Sequence, residues 1–150
     1  MITLRVDDRL VHTQVVLSWV QALKLERIIV ASDEVAEDPL RALTIELALP
    51  PGLSYCICPV DEAAAAVEPQ VRQMIVVASL ASASRVLAQL PELDEVNLAN
   101  CSRYPDRQQA SQYAASVWLT EGERVLLDNL KSRQVSIVSY PLPPVSVSGK

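Results

Sequence analysis

One segment, Arg5-Val6-Asp7-Asp8-Arg9-Leu10-Val11-His12-Thr13-Gln14-Val15, joins a predicted strand to a predicted helix and contains the only histidine of the chain. Residues 1–6 have the apolar pattern of a short buried strand, and residues 14–23 place apolar side chains at helical spacing. His12 therefore falls on the connecting loop or on the first helical turn. Loops that follow strands in an α/β sheet are where binding and catalytic residues commonly lie.

A helix that begins here would give His12 an electropositive environment. We expect Thr13 to be the N-cap or Gln14 to open the first turn, and either start leaves free backbone N–H groups beside the histidine. Such a position binds anions, phosphate included, and Arg9 adds a fixed positive charge with planar donors. Imidazole is a nucleophile that is largely unprotonated at neutral pH. The segment therefore predicts that His12 carries a phosphoryl group.

A purely structural role for these residues is the alternative. A single histidine is more often a surface or satisfied core residue than a catalyst, and Asp7 or Asp8 can simply cap a turn. Function is favoured because a histidine, an arginine and a helix start share one loop.

The same segment resembles the phosphorylation-site motif of IIB components of the mannose/fructose/sorbose-type sugar phosphotransferase system, usually Arg-hydrophobic-Asp-x-Arg-Leu-Ile-His-Gly-Gln-Val. The resemblance continues through residues 28–38 and spans about positions 2 to 140. Two departures mark a divergent member, because Thr13 and the segment Leu98-Ala99-Asn100-Cys101 stand where the family has glycine. Since a β-branched residue rarely adopts positive φ, Thr13 predicts either a strained or rearranged loop or a steric penalty on docking of the donor.

Length and composition set limits on the remaining interpretation. The 150 residues, half of them hydrophobic, predict one domain over residues 1–150, with 141–150 as a tail or an extension along an edge. A net charge of −5 argues against binding to nucleic acid. No apolar run approaches the roughly 20 residues that cross a bilayer, and the start is no signal peptide, so we expect a cytoplasmic protein. Cys56, Cys58 and Cys101 lack zinc-site spacing and are interpreted as reduced structural thiols, with no metal or cofactor.

Strand and helix patterns alternate along nearly the whole chain. After the first strand and helix, further strands are expected at 27–31, 53–58, 72–78, 94–98, 115–119 and 134–140. Helices are expected between them, with Asp38-Pro39 and the capping box at Thr120 to Glu123 as two clear start signals. Parallel neighbours need crossover connections, so the pattern predicts a single-domain three-layer α/β/α fold with a mostly parallel sheet of about six or seven strands.

In a parallel sheet the carboxyl ends of the strands meet at one edge, and the segments that follow them should converge there. These segments are 7–12, 32–34, 79–82 and 99–103. Ser79 is a candidate hydroxyl donor to a phosphoryl oxygen, while Asp8 and Asp33 are candidates to orient the loop or the imidazole. A capping or turn role is the alternative for each.

The resemblance implies a relay in which His12 accepts a phosphoryl group from a phosphohistidine on a IIA partner and passes it to a sugar held by a membrane IIC/IID permease. This is the activity of a protein-phosphohistidine–sugar phosphotransferase, working at the inner face of the membrane without metal or cofactor. The residues expected to support the phosphoryl group are Arg9, Asp8, Thr13, Gln14, Asp33 and Ser79. A homo-oligomer is compatible with the sequence.

Two alternatives to this relay remain. Loss of both loop glycines is compatible with a non-transferring homologue that acts as a regulatory or anion-binding module. A flavodoxin-like or receiver-like binding domain lacks support, since a receiver needs a phospho-accepting aspartate at a strand end and a late lysine, and Lys131 falls on a predicted helix.

Overall fold

The computed structural model describes residues 1–107 and 109–144, and within them the side chains at positions 14, 15 and 105 are not described. In this part of the chain six strands form one parallel sheet in the order β3-β2-β4-β1-β5-β8. The strands are β1 Ile2–Asp7, β2 Arg27–Ala31, β3 Ser54–Cys58, β4 Gln73–Val77, β5 Glu95–Asn100 and β8 Ser136–Val138. An antiparallel hairpin is formed by β6 Ser111–Ala114 and β7 Val117–Leu119. The mostly parallel α/β fold predicted from the alternating pattern is confirmed.

Helices cover both faces of the sheet, which makes three layers. They are α1 Thr13–Leu23, α2 Asp33–Ala36, α3 Pro39–Ala48, α4 Ala63–Ala66, α5 Leu80–Gln89 and α6 Glu121–Ser132. One hydrophobic cluster packs α1, α2 and α3 against the sheet, and a second packs α4, α5 and α6 against it. Strand β4 contributes side chains to both clusters: Met74 and Val76 belong to the first, and Ile75 and Val77 belong to the second. Strands buried on both faces explain the continuous apolar runs of the sequence.

Two helix starts follow the predicted signals. The Asp38 carboxylate accepts hydrogen bonds from the backbone N–H groups at the start of α3, where Pro39 occupies the first turn. Thr120 and Glu123 form a reciprocal capping box on α6. None of the described helices is both long enough and apolar enough to cross a bilayer.

Three strands differ from their predicted bounds by two residues at one end or at both. β5 continues to Asn100 instead of ending at Leu98, because Asn100 pairs with Asp7 after a register shift in β1. The region 115–119 is one arm of a hairpin, and its partner β6 was missed because Ser111 and Gln112 are polar and exposed. The last strand is only Ser136–Val138, since Gln134 has a left-handed backbone with φ of 65°.

Candidate functional site

Loops that follow β1, β2 and β4 meet at the carboxyl edge of the sheet, as the topology predicts. They surround a cavity of about 280 Å³. Its lining includes Asp8, Leu10, Ser32, Asp33, Ser79 and Ser82. An adjoining cavity of about 200 Å³ shares Asp8 and Leu10 and adds Arg9. Arg41 of α3 contributes to both cavities. The loop after β1 therefore lines both cavities, and His12 lies two residues after Leu10 on this loop.

His12 is itself the N-cap of α1, with an extended backbone (φ −119°, ψ 128°), and its carbonyl accepts from Val16 N at 2.8 Å. This corrects the prediction that Thr13 or Gln14 would define the start, since Thr13 is the first helical residue. The half-buried imidazole makes no capping hydrogen bond, and no acidic residue lies in the first turn. Serine, threonine, aspartate and asparagine are the residues that cap helices well. An uncapped helix start at a loop histidine leaves backbone donors for an anion.

The expected strain lies at Leu10 rather than at Thr13. Leu10 has φ of 59°, in the left-handed region, while Thr13 is helical. A turn closes the backbone here, because Leu10 N donates to Asp7 O at 2.8 Å. Leu10 and Val11 are both buried in the cluster that packs α1 onto the sheet. Burial of these two side chains holds a backbone conformation that costs on the order of 1 kcal/mol or more for a non-glycine residue.

Asp7 is the electrostatic centre of this loop. The residue is 0% exposed, and its carboxylate accepts from Arg5 Nη2 at 3.1 Å. It also accepts from Arg9 N at 3.0 Å, Arg9 Nε at 3.2 Å and Arg9 Nη2 at 3.4 Å. The Arg9 side chain remains 39% exposed. Asp7 thus fixes the Arg9 guanidinium in one orientation while part of it faces solvent.

Arg5 connects this centre to the far end of the chain. Its guanidinium donates to the carbonyl oxygens of Tyr140 and Pro141, both at 3.1 Å, and lies 5.5 Å from the centroid of the Trp19 ring. Burial lowers the pKa of Arg5, and the neighbouring Asp7 carboxylate opposes that shift. The predicted tail therefore begins as a segment packed on the sheet, while residues 145–150 lie outside the described part. Sequence reasoning missed Arg5 as an organising residue, although the Arg-x-Asp-x-Arg spacing carries the signal.

Asp8 holds the loop after β5. Its carboxylate accepts from Asn100 Nδ2 at 2.5 Å, from Ser102 N at 2.6 Å and from Ser102 Oγ at 3.3 Å. Of the two roles predicted for Asp8, these contacts serve the orientation of a loop; the described hydrogen bonds include none to the imidazole of His12.

Asp33 and Ser79 have structural contacts at the same edge. Asp33 accepts from Val60 N and from Arg85 Nη1, each at 2.9 Å, and these bonds, Val60 first, lower the pKa of its carboxyl. The Ser79 hydroxyl caps α5 by accepting from Ser82 N at 3.1 Å. Ser79 thus has the capping role given above as its alternative, whereas Asp33 joins its loop to Val60 and Arg85. Contact of either residue with a phosphoryl group stays a prediction. The side chain of Gln14 lies outside the described part of the structure.

All three cysteines are free thiols. Burial is the main cause that raises the pKa of Cys58 and of Cys101 to about 12. Thiols of such high pKa are poor nucleophiles at neutral pH, so these two residues act as small apolar side chains. No group of histidine, cysteine and acidic residues in the described ranges is arranged to hold a metal ion.

Comparison with known proteins supplies independent information. The family model described as the sorbose subfamily IIB component of the PTS system matches residues 1–138. A probable phosphotransferase enzyme IIB component of Streptococcus pyogenes serotype M6 is 34% identical over 113 residues, which cover 73% of this chain and 69% of that protein. The mannose-specific EIIAB component of Escherichia coli K12 is 46% identical over 50 residues, 33% of this chain and 16% of that protein. The crystal structure of the IIBSor domain of the Klebsiella pneumoniae sorbose permease has the same fold, with a TM-score of 0.84, 23% identity and coverage of 99% and 94% of the two chains.

Proposed function

Because the chain belongs to the sorbose subfamily of IIB components of the sugar phosphotransferase system, we propose that it carries the phosphoryl group on His12. The observation that supports this assignment most is the position of His12, at the uncapped start of α1 on the loop that also presents Arg9. An imidazole nitrogen is the nucleophile, and the backbone N–H groups and the guanidinium balance the charge on the phosphoryl oxygens.

The proposed reaction has two steps. A His12 ring nitrogen attacks the phosphorus of a phosphohistidine on a IIA protein, the donor's N–P bond breaks, and the donor imidazole leaves. A sugar hydroxyl, held by a membrane IIC/IID pair, then attacks the same phosphorus. The N–P bond to His12 breaks, and the hydroxyl proton is taken up by the departing imidazole or by solvent. In-line positioning and charge neutralisation supply most of the rate in such transfers. The protein would therefore act at the membrane surface, where its permease partner holds the sugar.

The test is to incubate the protein with phosphorylated IIA and to examine the labelled product. We expect one phosphoryl group per chain, labile in acid and stable in base, as a phosphoramidate bond is. A parallel incubation with phosphoramidate, a small donor that loses ammonia, removes any need for protein docking. A chain labelled by neither donor would contradict the proposal and support the non-transferring homologue.

Arg9→Lys is expected to slow phosphoryl transfer by about tenfold or more, because lysine keeps the charge but loses the planar fork. Stability should fall by only about 1 kcal/mol or less, since the Arg9 side chain is 39% exposed and its pair with Asp7 is partly screened. Quench-flow transfer rates and thermal melting measure the two effects. Arg133→Lys, at an exposed arginine after α6, is the matched control. Equal transfer by the two variants would show that Arg9 has no part in the reaction.

Thr13→Gly is expected to raise the transfer rate from IIA severalfold and to lower stability slightly. Thr13 is helical and exposed, so glycine relieves no strain there and costs helix propensity of up to roughly 0.5 kcal/mol. The gain should come from closer approach of the donor, and the rate with phosphoramidate should stay unchanged. Higher stability would instead reveal strain at Thr13, and an unchanged IIA rate would mean that this departure has no consequence.

A further inference from the structure

Two loops at the carboxyl edge are tied together by Asp8. Besides the three hydrogen bonds to its carboxylate, Asp8 N donates to Asn100 O at 3.1 Å. The bonds to the carboxylate from Asn100 Nδ2 and Ser102 N have the short length of charge-assisted hydrogen bonds, which are roughly twice as strong as neutral ones. Asn100 is only 9% exposed, so its amide is shielded from competing water. The loop before His12 is therefore anchored to the loop after β5 by side chain and backbone together.

The anchored residue lies inside the strained turn. Asp8 is the second residue of the turn that Leu10 N closes on Asp7 O, and Leu10 follows in the left-handed region. Asp7 and Asp8 are adjacent, and their carboxylates are engaged by different partners. Asp7 holds Arg9, while Asp8 holds Asn100 and Ser102. The loop that carries Arg9 and leads to His12 is thus held from two sides of one turn.

Asn100 belongs to the segment Leu98-Ala99-Asn100-Cys101, which stands where the family that the chain resembles has glycine. A glycine has no side chain and provides no Nδ2 donor for Asp8. In this chain the amide makes a second contact as well, donating to Ser102 Oγ at 3.3 Å. The Asn100 side chain therefore supplies a cross-loop bond that a glycine at this position would lack.

We propose that Asp8, Asn100 and Ser102 form a clamp that holds the His12 loop in the geometry required for phosphoryl transfer. The clamp rests on the proposed function of His12, and Asn100 is a positioning residue that touches no reacting atom. A loop fixed before the donor arrives needs no ordering during the reaction, so the clamp should act on the rate at saturating donor more than on the KM for IIA.

An exchange of donor and acceptor tests the clamp. Asn100→Asp removes the Nδ2 donor and places a second carboxylate against Asp8. The double variant Asp8→Asn with Asn100→Asp restores an amide facing a carboxylate, and the oxygen of the new amide at position 8 still accepts from Ser102 N. Asn129→Asp, at an exposed asparagine of α6, is the matched control. Asn100→Gly removes the same bond without adding charge, in case Asn100→Asp fails to fold.

We expect Asn100→Asp to lower the saturated transfer rate by about tenfold, with little change in KM, and the double variant to recover most of it. Asn100→Gly should lower the saturated transfer rate severalfold. The imidazole NMR signal reports the loop directly, because His12 is the only histidine of the chain. Its chemical shift should change in Asn100→Asp and return toward the wild-type value in the double variant. Transfer by Asn100→Asp at the rate of Asn129→Asp, or a folded double variant as slow as Asn100→Asp, would overturn the clamp. If the wild-type chain accepts no phosphoryl group, the proposed function fails, and the imidazole signal still decides whether the clamp holds the loop.

Discussion

His12→Gln is expected to reduce phosphoryl transfer by about a thousandfold or more, because glutamine has no ring nitrogen that can attack phosphorus. His12 is the only histidine of the chain, so no second imidazole can take its place. The fold should tolerate the change, since the ring is half-buried and makes no capping hydrogen bond. Label incorporation from phosphorylated IIA and from phosphoramidate measures the loss, and thermal melting shows that the variant is folded.

The chemistry of any remaining label identifies the alternative acceptor. A label on a carboxylate such as Asp8 or Asp33 would be an acyl phosphate, which base hydrolyses, whereas a phosphoryl group on imidazole survives base. If His12→Gln incorporated as much label as the wild-type chain, the assignment of His12 would be wrong. If it incorporated a base-labile label in small amount, His12 would remain the principal acceptor.

The fold class was predictable because its signals are local. Continuous apolar runs of strand length alternate with helical periodicity, and parallel neighbours require such crossovers. The starts of α3 and α6 were equally readable, since Asp38 and Thr120 cap helices that begin at the next residue. The convergence of loops after β1, β2 and β4 followed from topology alone.

The contacts that organise the site were not predictable, because they join distant parts of the chain. Asp8 meets Ser102 across 94 positions, and Arg5 meets Pro141 across 136. A sequence pattern shows two adjacent acidic residues but not that one is buried on Arg5 and the other is bonded to Asn100. Likewise, strain was expected at Thr13 because it is β-branched. The left-handed residue is instead Leu10, three positions earlier, whose N–H closes the turn on Asp7 O.

Asp7→Asn is expected to have the largest effect on stability, about 3 to 5 kcal/mol, because it leaves a buried cation without its counter-charge. Asp7 is 0% exposed and Arg5 is 2% exposed, so water cannot solvate the guanidinium in the folded state. The substituted amide keeps one acceptor oxygen and turns an N–H group toward arginine donors. Urea unfolding measures the loss, with Asp128→Asn at an exposed position of α6 as the control expected to change little.

A second variant distinguishes the effect of unpaired charge on stability from the effect of altered side-chain shape. If unpaired charge is the cause, Arg5→Met in the Asp7→Asn background should recover part of the lost stability, because no buried cation remains to be neutralised. Transfer should stay slow in both variants, since Asp7 no longer orients the Arg9 guanidinium through Nε and Nη2. A loss below about 1 kcal/mol for Asp7→Asn would instead mean that the carbonyl oxygens of Tyr140 and Pro141, both 3.1 Å from Arg5, are enough to hold the charge. The extension after β8, rather than Asp7, would then be the element that keeps Arg5 inside the protein.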